Sequence, residues 1–463
     1  MSARGEAPAE EACYWLARSK DAASPPLTGP TDADVVIVGA GLTGLWTAFH
    51  LLAMEPGLDV AILEQGRAAG GASGRNAGIL GEGIDHSHAL AIKHFGRAEA
   101  QLLTEIGRRN VAEMRRSLEK HAIDCDLETT GQLLVALSED QVQTLEAVLE
   151  SARSLGVSDY RILDKDAVRA EIHCERYLGA LLDPTAAILD PVKLVLGLKR
   201  VVLASGARLW ERTRVRRMTA EGAHVRVSAG AGHVRARRAI LATNAFTHQV
   251  LPRLRHRFIP FYDYILVSEP LAPAQREAIG WRRRQGVVDA RSFFKYYRLT
   301  ADGRILWGTS EAEYYPKNRV DPSLEHSPSH FLALKESFLR HFPALEGLQF
   351  PYAWGGPIAA TTRFTPFFGS DLKGLVLYAL GYTGHGLGTT HLAGKILAHQ
   401  ALGRSTPLLD LSLVQQKPFP YPPEPLRSWA VAAVKQGLRR VDAGGRPSWL
   451  LRILDSLGIG LSS

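Results

Sequence analysis

The strongest constraint on this chain lies near its N-terminus, where a buried strand, a glycine turn and a helix start follow one another without a break. Asp34-Val35-Val36-Ile37-Val38 runs straight into Gly39-Ala40-Gly41-Leu42-Thr43-Gly44. A second apolar run then ends in Glu64 and Gln65, with the acid at the spacing of about 20 residues that a dinucleotide-binding βαβ unit requires. Gly39 permits the tight turn, Gly41 lets backbone approach a pyrophosphate, and Gly44 lets the helix pack close to the strand. The helix N-terminus offers free N–H groups to phosphate oxygens, and Glu64 can accept from ribose hydroxyls. An ordinary glycine-rich turn is the bland alternative. The Val/Ile strand before the turn argues against it, as does the shared face of Leu45, Ala48, Leu51 and Leu52 after it.

With 463 residues, two or three domains and a large core are expected. No apolar run approaches the length of a membrane span. Glu6, Glu10 and Glu11 sit where a signal peptide would be basic and then apolar, so a cytoplasmic location is expected. Cys13, Cys125 and Cys174 are far apart, which fits neither a disulfide framework nor a zinc site, and no metal is expected. The net charge of +8 admits an anionic substrate, a membrane surface or nucleic acid as partner. The arginine clusters at 212–217, 235–238 and 282–284 alternate with acidic or apolar residues. They read as a solvated basic face, with no nucleic-acid partner.

Along the chain, 1–32 is an N-terminal extension tucked against the body through Tyr14 and Trp15. Residues 33–100, 165–255 and 355–415 are expected to form a doubly wound, Rossmann-like α/β nucleotide domain. Residues 101–164 and 256–354 are expected to form an interleaved α+β domain on a mixed or antiparallel sheet. Helices are predicted over 89–121, with Leu102, Ile106 and Met114 on the apolar face, and over 139–155, 192–205, 328–341 and from about 386 to 401. Strands are predicted at 131–137, 207–218, 223–228, 232–235, 239–244 and 375–380, with antiparallel sheet in 258–310. The tail, 416–463, carries two short amphipathic segments, Trp429 to Arg440 and Trp449 to Leu457. Packing on the body or on a second subunit is the main reading for them, and binding to a membrane surface is the alternative.

Several motifs in this order resemble the D-amino-acid oxidase superfamily of FAD-dependent oxidoreductases, the group with glycine oxidase, sarcosine oxidase and γ-glutamylputrescine oxidase. They are the 39–44 turn with Glu64, Gly71-Ala72-Ser73-Gly74-Arg75-Asn76-Ala77-Gly78, Leu189-Asp190-Pro191, Ala242-Thr243-Asn244-Ala245 and Gly381-Tyr382-Thr383-Gly384-His385-Gly386. Tyr296-Tyr297-Arg298-Leu299-Thr300, Arg304-Ile305-Leu306-Trp307-Gly308 and Trp354-Gly355-Gly356-Pro357-Ile358 are most similar to the γ-glutamylputrescine oxidase-like branch.

The resemblance implies FAD with its adenine end at Gly39 to Gly44, Glu64 and Gln65. Gly71, Ala72, Ser73, Arg75, Asn76, Ala77 and Gly78 would follow the pyrophosphate, ribityl chain and flavin edge. Val215, Ala242, Thr243, Asn244 and Gly355 would complete the cofactor contacts. Backbone N–H groups of Gly384, His385, Gly386, Leu387 and Gly388 would face the N1–C2=O end of the flavin. Reduction places negative charge there, and a helix N-terminus favours it. Neither a cysteine in a flavin-adjacent motif nor a histidine in the 71–78 loop is present, so non-covalent FAD is expected.

The implied reaction oxidises the C–N bond of a small amine or amino acid. Hydride passes to flavin N5, the imine is hydrolysed, and O2 reoxidises the flavin to give H2O2. Arg298 is a candidate anchor for a substrate carboxylate, with pairing to an internal acid as the alternative. At most one of Tyr296 and Tyr297 should face the cavity, because they alternate along a strand. Arg363 is a second candidate anchor, or a structural guanidinium bound to backbone carbonyls. Lys295 is a candidate for promoting reaction with oxygen, or a plain exposed lysine. His385 is a candidate base, or a spacer in a loop chosen for its backbone. The basic candidates favour a substrate carrying an anionic group, and the oligomeric state is open. Two competing readings are an NAD(P)H-dependent flavin hydroxylase and a non-catalytic FAD-containing binding protein.

Overall fold

The Val35-Val36-Ile37-Val38 run is apolar without alternation because both faces of its strand are covered. Val35 and Ile37 enter one hydrophobic core, and Val36 and Val38 enter another. In the computed structural model, which describes residues 12–459, this strand, Pro30–Val38, is central in an eight-stranded sheet. Val60–Leu63 and then Arg208–Trp210 lie on one side of it. Gly232–Leu241 and then Val376–Leu380 lie on the other. All of these run parallel, and Phe367–Asp371 adds an antiparallel edge. The helices Leu42–Met54, Pro191–Ala204 and Gly386–Leu402 cover one face. The hairpin Val215–Glu221 and His224–Ala229, with Leu251, Leu254 and Phe258, covers the opposite one. This is the parallel nucleotide sheet that the glycine turn predicts.

Some boundaries differ from the sequence reading. The strand expected over 207–218 breaks at 211–214, where Glu211 is fully buried and accepts from the Ala68 N–H and from Lys199 Nζ. Arg212 there takes a left-handed φ of 52°, which no strand accommodates. The two strands expected at 232–235 and 239–244 are one strand ending at Leu241, because Val234 and Ala236 turn inward while Arg235 and Arg237 turn out. The long helix His88–Lys120 contains a kink at Gly96, with φ of 76°. Leu102 on it is 41% exposed and lies outside the core, which takes Ile106 and Met114.

The second sheet also has eight strands, ordered Tyr352–Ala360, Ile259–Val267, Ile305–Tyr314, Lys295–Leu299, Gly286–Asp289, Gln132–Ala136, Gly179–Asp183 and Arg161–Leu163. Only the 286–289 and 132–136 pair is parallel. Two segments that the sequence assigned to the nucleotide domain belong here, namely 179–183 and 355–360. Their ladder bonds, to 132–136 and to 259–264, are what place them. Beneath this sheet the helix Pro328–His341 packs on an aromatic core. There Trp307 stacks on Tyr297 at 4.2 Å and donates from Nε1 to Ser337 Oγ at 2.9 Å. The N-terminal lead-in is anchored by Tyr14 and Trp15, both buried, with Trp15 Nε1 donating to the Asn76 carbonyl at 3.0 Å.

Candidate active site

Backbone approach builds one wall of the site. A Cβ on Gly44 would fall 1.9 Å from the Gly39 carbonyl oxygen, so only glycine allows this helix to leave this strand. A Cβ on Gly394 would meet the backbone of Trp46 and Thr47 at 2.7 and 2.8 Å. The helices Leu42–Met54 and Gly386–Leu402 therefore lie backbone to backbone, although more than 300 residues separate them. Thr43 Oγ1 donates to the Tyr382 hydroxyl at 2.8 Å across their N-terminal ends. Both ends open on a single cavity of about 1180 Å³.

Within that wall the polar side chains hold the loops in shape. Glu64 accepts the Ala40 N–H at 2.9 Å and the Gly66 N–H at 2.8 Å, and burial pushes its pKa up. Ser73 Oγ accepts the Leu42 N–H at 2.9 Å and so caps the helix. Asn76 donates to the carbonyls of Ala72 and Ser73 and accepts from the Gly78 N–H. Arg75 donates to the carbonyls of Gly70 and Gly355 and pairs with Glu325 at 2.6 Å. The donor chemistry left facing the cavity is backbone N–H at two helix N-termini, which suits a dinucleotide at one and an electron-rich ring at the other. Of the residues expected at the cofactor, Ala40, Gly44 and Gly355 stay behind the cavity wall, and the others line it.

The opposite wall is the face of the second sheet, and here the structure redistributes the expected roles. Tyr296 lines the cavity and donates to Asp263 Oδ2 at 2.5 Å. Lys295 and Tyr297 point to the other face. Lys295 Nζ donates to Thr309 Oγ1 at 2.6 Å, and Tyr297 shares a hydrogen bond with Tyr177 at 2.6 Å. Strand alternation puts Lys295 out of reach of the cavity, and burial lowers its pKa. Arg298 is also withdrawn. It lies against the Trp15 ring at 5.1 Å and donates to the Gly78 carbonyl at 2.8 Å, holding the 71–78 loop from behind. Arg363 donates to Thr365 Oγ1 and to the carbonyls of Pro366, Leu413 and Gln416, a structural guanidinium. Burial pushes both guanidinium pKa values down to about 10. Neither of the two candidate anion anchors reaches the cavity.

Asp263, which the sequence reading missed, is the titratable group at the centre of this wall. Burial raises its pKa from the ordinary carboxylate range to about 7, opposed by the hydrogen bonds from Tyr296 and from the Tyr264 N–H. An acid inside the apolar run Phe261-Tyr262-Asp263-Tyr264-Ile265 was the available signal. His385 faces the cavity beside His86, which the sequence reading also missed. His86 Nε2 lies 2.6 Å from the Thr383 carbonyl, so it carries the proton. His385 Nδ1 lies 2.9 Å from the same His86 Nε2. Burial lowers both pKa values and keeps the pair neutral. Among the described residues, no group of His, Cys, Asp and Glu is arranged to hold a metal ion.

Residues 34–400 match the family model described as FAD dependent oxidoreductase. The chain belongs to this family. It is 32% identical to the probable oxidoreductase OrdL of Haemophilus influenzae over 396 residues, covering 84% of this chain and 88% of that one. It is 31% identical to the gamma-glutamylputrescine oxidoreductase of Escherichia coli K12, covering 88% and 92%. Among solved structures, glycine oxidase from Geobacillus kaustophilus superposes with a TM-score of 0.70 at 20% identity, over 83% of this chain and 99% of that one. At that identity the likeness speaks to the fold. The protein is an FAD-dependent oxidoreductase.

Proposed function

We propose that this flavoprotein oxidises the C–N bond of a small amine or amino acid and passes the electrons to O2, giving an imine and H2O2. The observation that carries the reading is the Tyr296–Asp263 pair, set on the sheet across the cavity from the two helix N-termini. One relative supports the substrate class by name, gamma-glutamylputrescine oxidoreductase.

Bound FAD, held non-covalently by the glycine turn, Glu64 and the 71–78 loop, supplies the two-electron acceptor. None of the three cysteines lines the cavity. Asp263 and Tyr296 receive the substrate ammonium. With its pKa at about 7, the Asp263 carboxylate takes one proton and leaves the neutral amine, the form whose α-carbon can give up hydride. Tyr296 fixes the carboxylate through its hydroxyl and presents its ring to the cavity. The N–H groups at the start of Gly386–Leu402 favour the negative charge that builds at the other end. The imine is then hydrolysed. With Arg298 and Arg363 engaged elsewhere, neither anchors a substrate carboxylate, and the ammonium is the group that Asp263 and Tyr296 recognise. The cytoplasm is the compartment we propose, where three buried, separate thiols are stable.

An anaerobic panel of amines, watched at the flavin absorbance and followed by admission of air and a peroxide assay, tests this. Bleaching by an amine and peroxide on reoxidation are expected. A flavin that no amine bleaches, or that NADPH bleaches on mixing, would overturn the reading.

A further inference from the structure

The C-terminal tail has a face that its packing does not explain. Six of the nine exposed large hydrophobic side chains among the described residues lie in it; Phe419 and Leu457 border the cavity, whereas Leu426, Trp429, Trp449 and Ile453 do not line it. Sequence spacing marks the first amphipathic segment as Trp429 to Arg440, a short stretch of about three turns. The first is in fact the 17-residue helix Leu426–Asp442, and Trp449–Ser456 follows it. Both are fixed to the body on one side. Glu424 accepts from the Tyr314 hydroxyl at 2.6 Å, Lys435 pairs with Glu313 at 2.6 Å, and Asp442 accepts the N–H groups of Ser292 and Phe293. Asp455 pairs with Lys93 at 2.9 Å, and the Gly458 carbonyl accepts from His94 at 2.6 Å. The inner face of the longer helix, with Val431, Val434 and Leu438, closes the cavity wall.

The outer faces follow helical spacing. Leu426, Trp429, Ala433, Gln436 and Arg440 form one exposed stripe, and Trp449, Arg452 and Ile453 form another. Residues 417–459 carry seven basic and three acidic side chains, half of the chain's net charge of +8. Arg440, Arg446 and Arg452 are exposed and make no ion pair among the described residues. Apolar and aromatic side chains interleaved with unpaired arginines, on a rigidly held amphipathic surface, match the boundary between acyl chains and anionic headgroups. A second copy fits less well, because neither exposed stripe carries an acidic side chain to pair these arginines across a two-fold interface.

We propose that the outer face of the two tail helices is a docking surface for an anionic lipid bilayer, on which the protein sits without spanning it. No helix among the described residues is long and apolar enough to cross a membrane.

Flotation of the full-length, FAD-loaded protein with phosphatidylcholine vesicles, with and without phosphatidylglycerol, tests the proposal. Co-flotation with the phosphatidylglycerol vesicles at low salt is expected, with loss at high salt. Arg440→Gln with Arg452→Gln should weaken it about 30-fold. Trp429→Ser with Trp449→Ser should abolish it while flavin absorbance and circular dichroism stay unchanged. Absence of flotation at low salt would overturn the proposal. So would equal binding to both vesicle types, or a dimer by light scattering that the tryptophan substitutions dissolve in protein that binds no vesicle.

Discussion

The two walls of the cavity use polar chemistry in opposite ways. On the nucleotide side the groups left for a ligand are backbone N–H, and side chains such as Glu64, Ser73 and Asn76 serve to hold the backbone in place. On the sheet side the backbone is committed to ladders, and the chemistry rests on side chains, with Asp263 and Tyr296 at the centre. A backbone site tolerates no added atoms but has little dependence on pH. A side-chain site tolerates substitution structurally and is governed by one titration. The walls should therefore fail differently when altered.

The largest effect is expected at Gly44. Gly44→Val drives a side chain into the Gly39 carbonyl, at a cost of about 3 kcal/mol or more. Purified protein should be colourless or insoluble, and a yellow protein of normal melting temperature would break the backbone half of the comparison. Asp263→Asn should instead fold and bind FAD normally but lose at least ~100-fold in kcat/KM, measured with the best amine from the panel. Because the folded pKa of Asp263, about 7, stands above its ordinary value of 3.8, the native protein should lose stability as pH rises from about 4 to about 7 and show no further loss from this group above that. Thermal melts of the asparagine variant should lack that slope.

Tyr296→Phe should cost less, about 10-fold in rate. It removes a donor to the carboxylate, so the pH of half-maximal rate should move upward. An unchanged pH would detach Tyr296 from Asp263. Arg298→Gln separates an anchor from a brace. Loss of the hydrogen bond to Gly78 should lower stability by about 1–3 kcal/mol, while KM for a carboxylated amine stays the same as for its uncharged analogue. Smallest of all, Lys295→Met should leave the reductive and oxidative half-reactions within about 2-fold of native, measured by stopped flow. Slower reoxidation alone would return Lys295 to the chemistry.

The same contrast explains what was legible in the sequence. The parallel sheet follows from the glycine turn and the apolar runs, which report backbone conformation directly, and the resemblance implied that the 39–44 and 384–388 stretches serve one cofactor. Side-chain destinations do not follow from spacing. Alternation alone was enough to separate Tyr296 from Tyr297, yet Arg298, on the cavity side of its strand, is drawn behind the 71–78 loop by Trp15, a residue some 280 positions away. Asp263 was passed over because a single acid in an aromatic strand reveals a site only when its partner is known. The ends of the second sheet were misplaced because the ladders that recruit 179–183 and 355–360 join segments distant in sequence.

The account stands on Asp263 as the group that takes the amine's proton, and the pH dependence of the anaerobic flavin-reduction rate tests it most directly. The native protein should show a rate that rises through about pH 7 to a plateau as the carboxylate forms, and Asp263→Asn should lack that inflection. The same inflection in both proteins, at the same pH, would contradict the account.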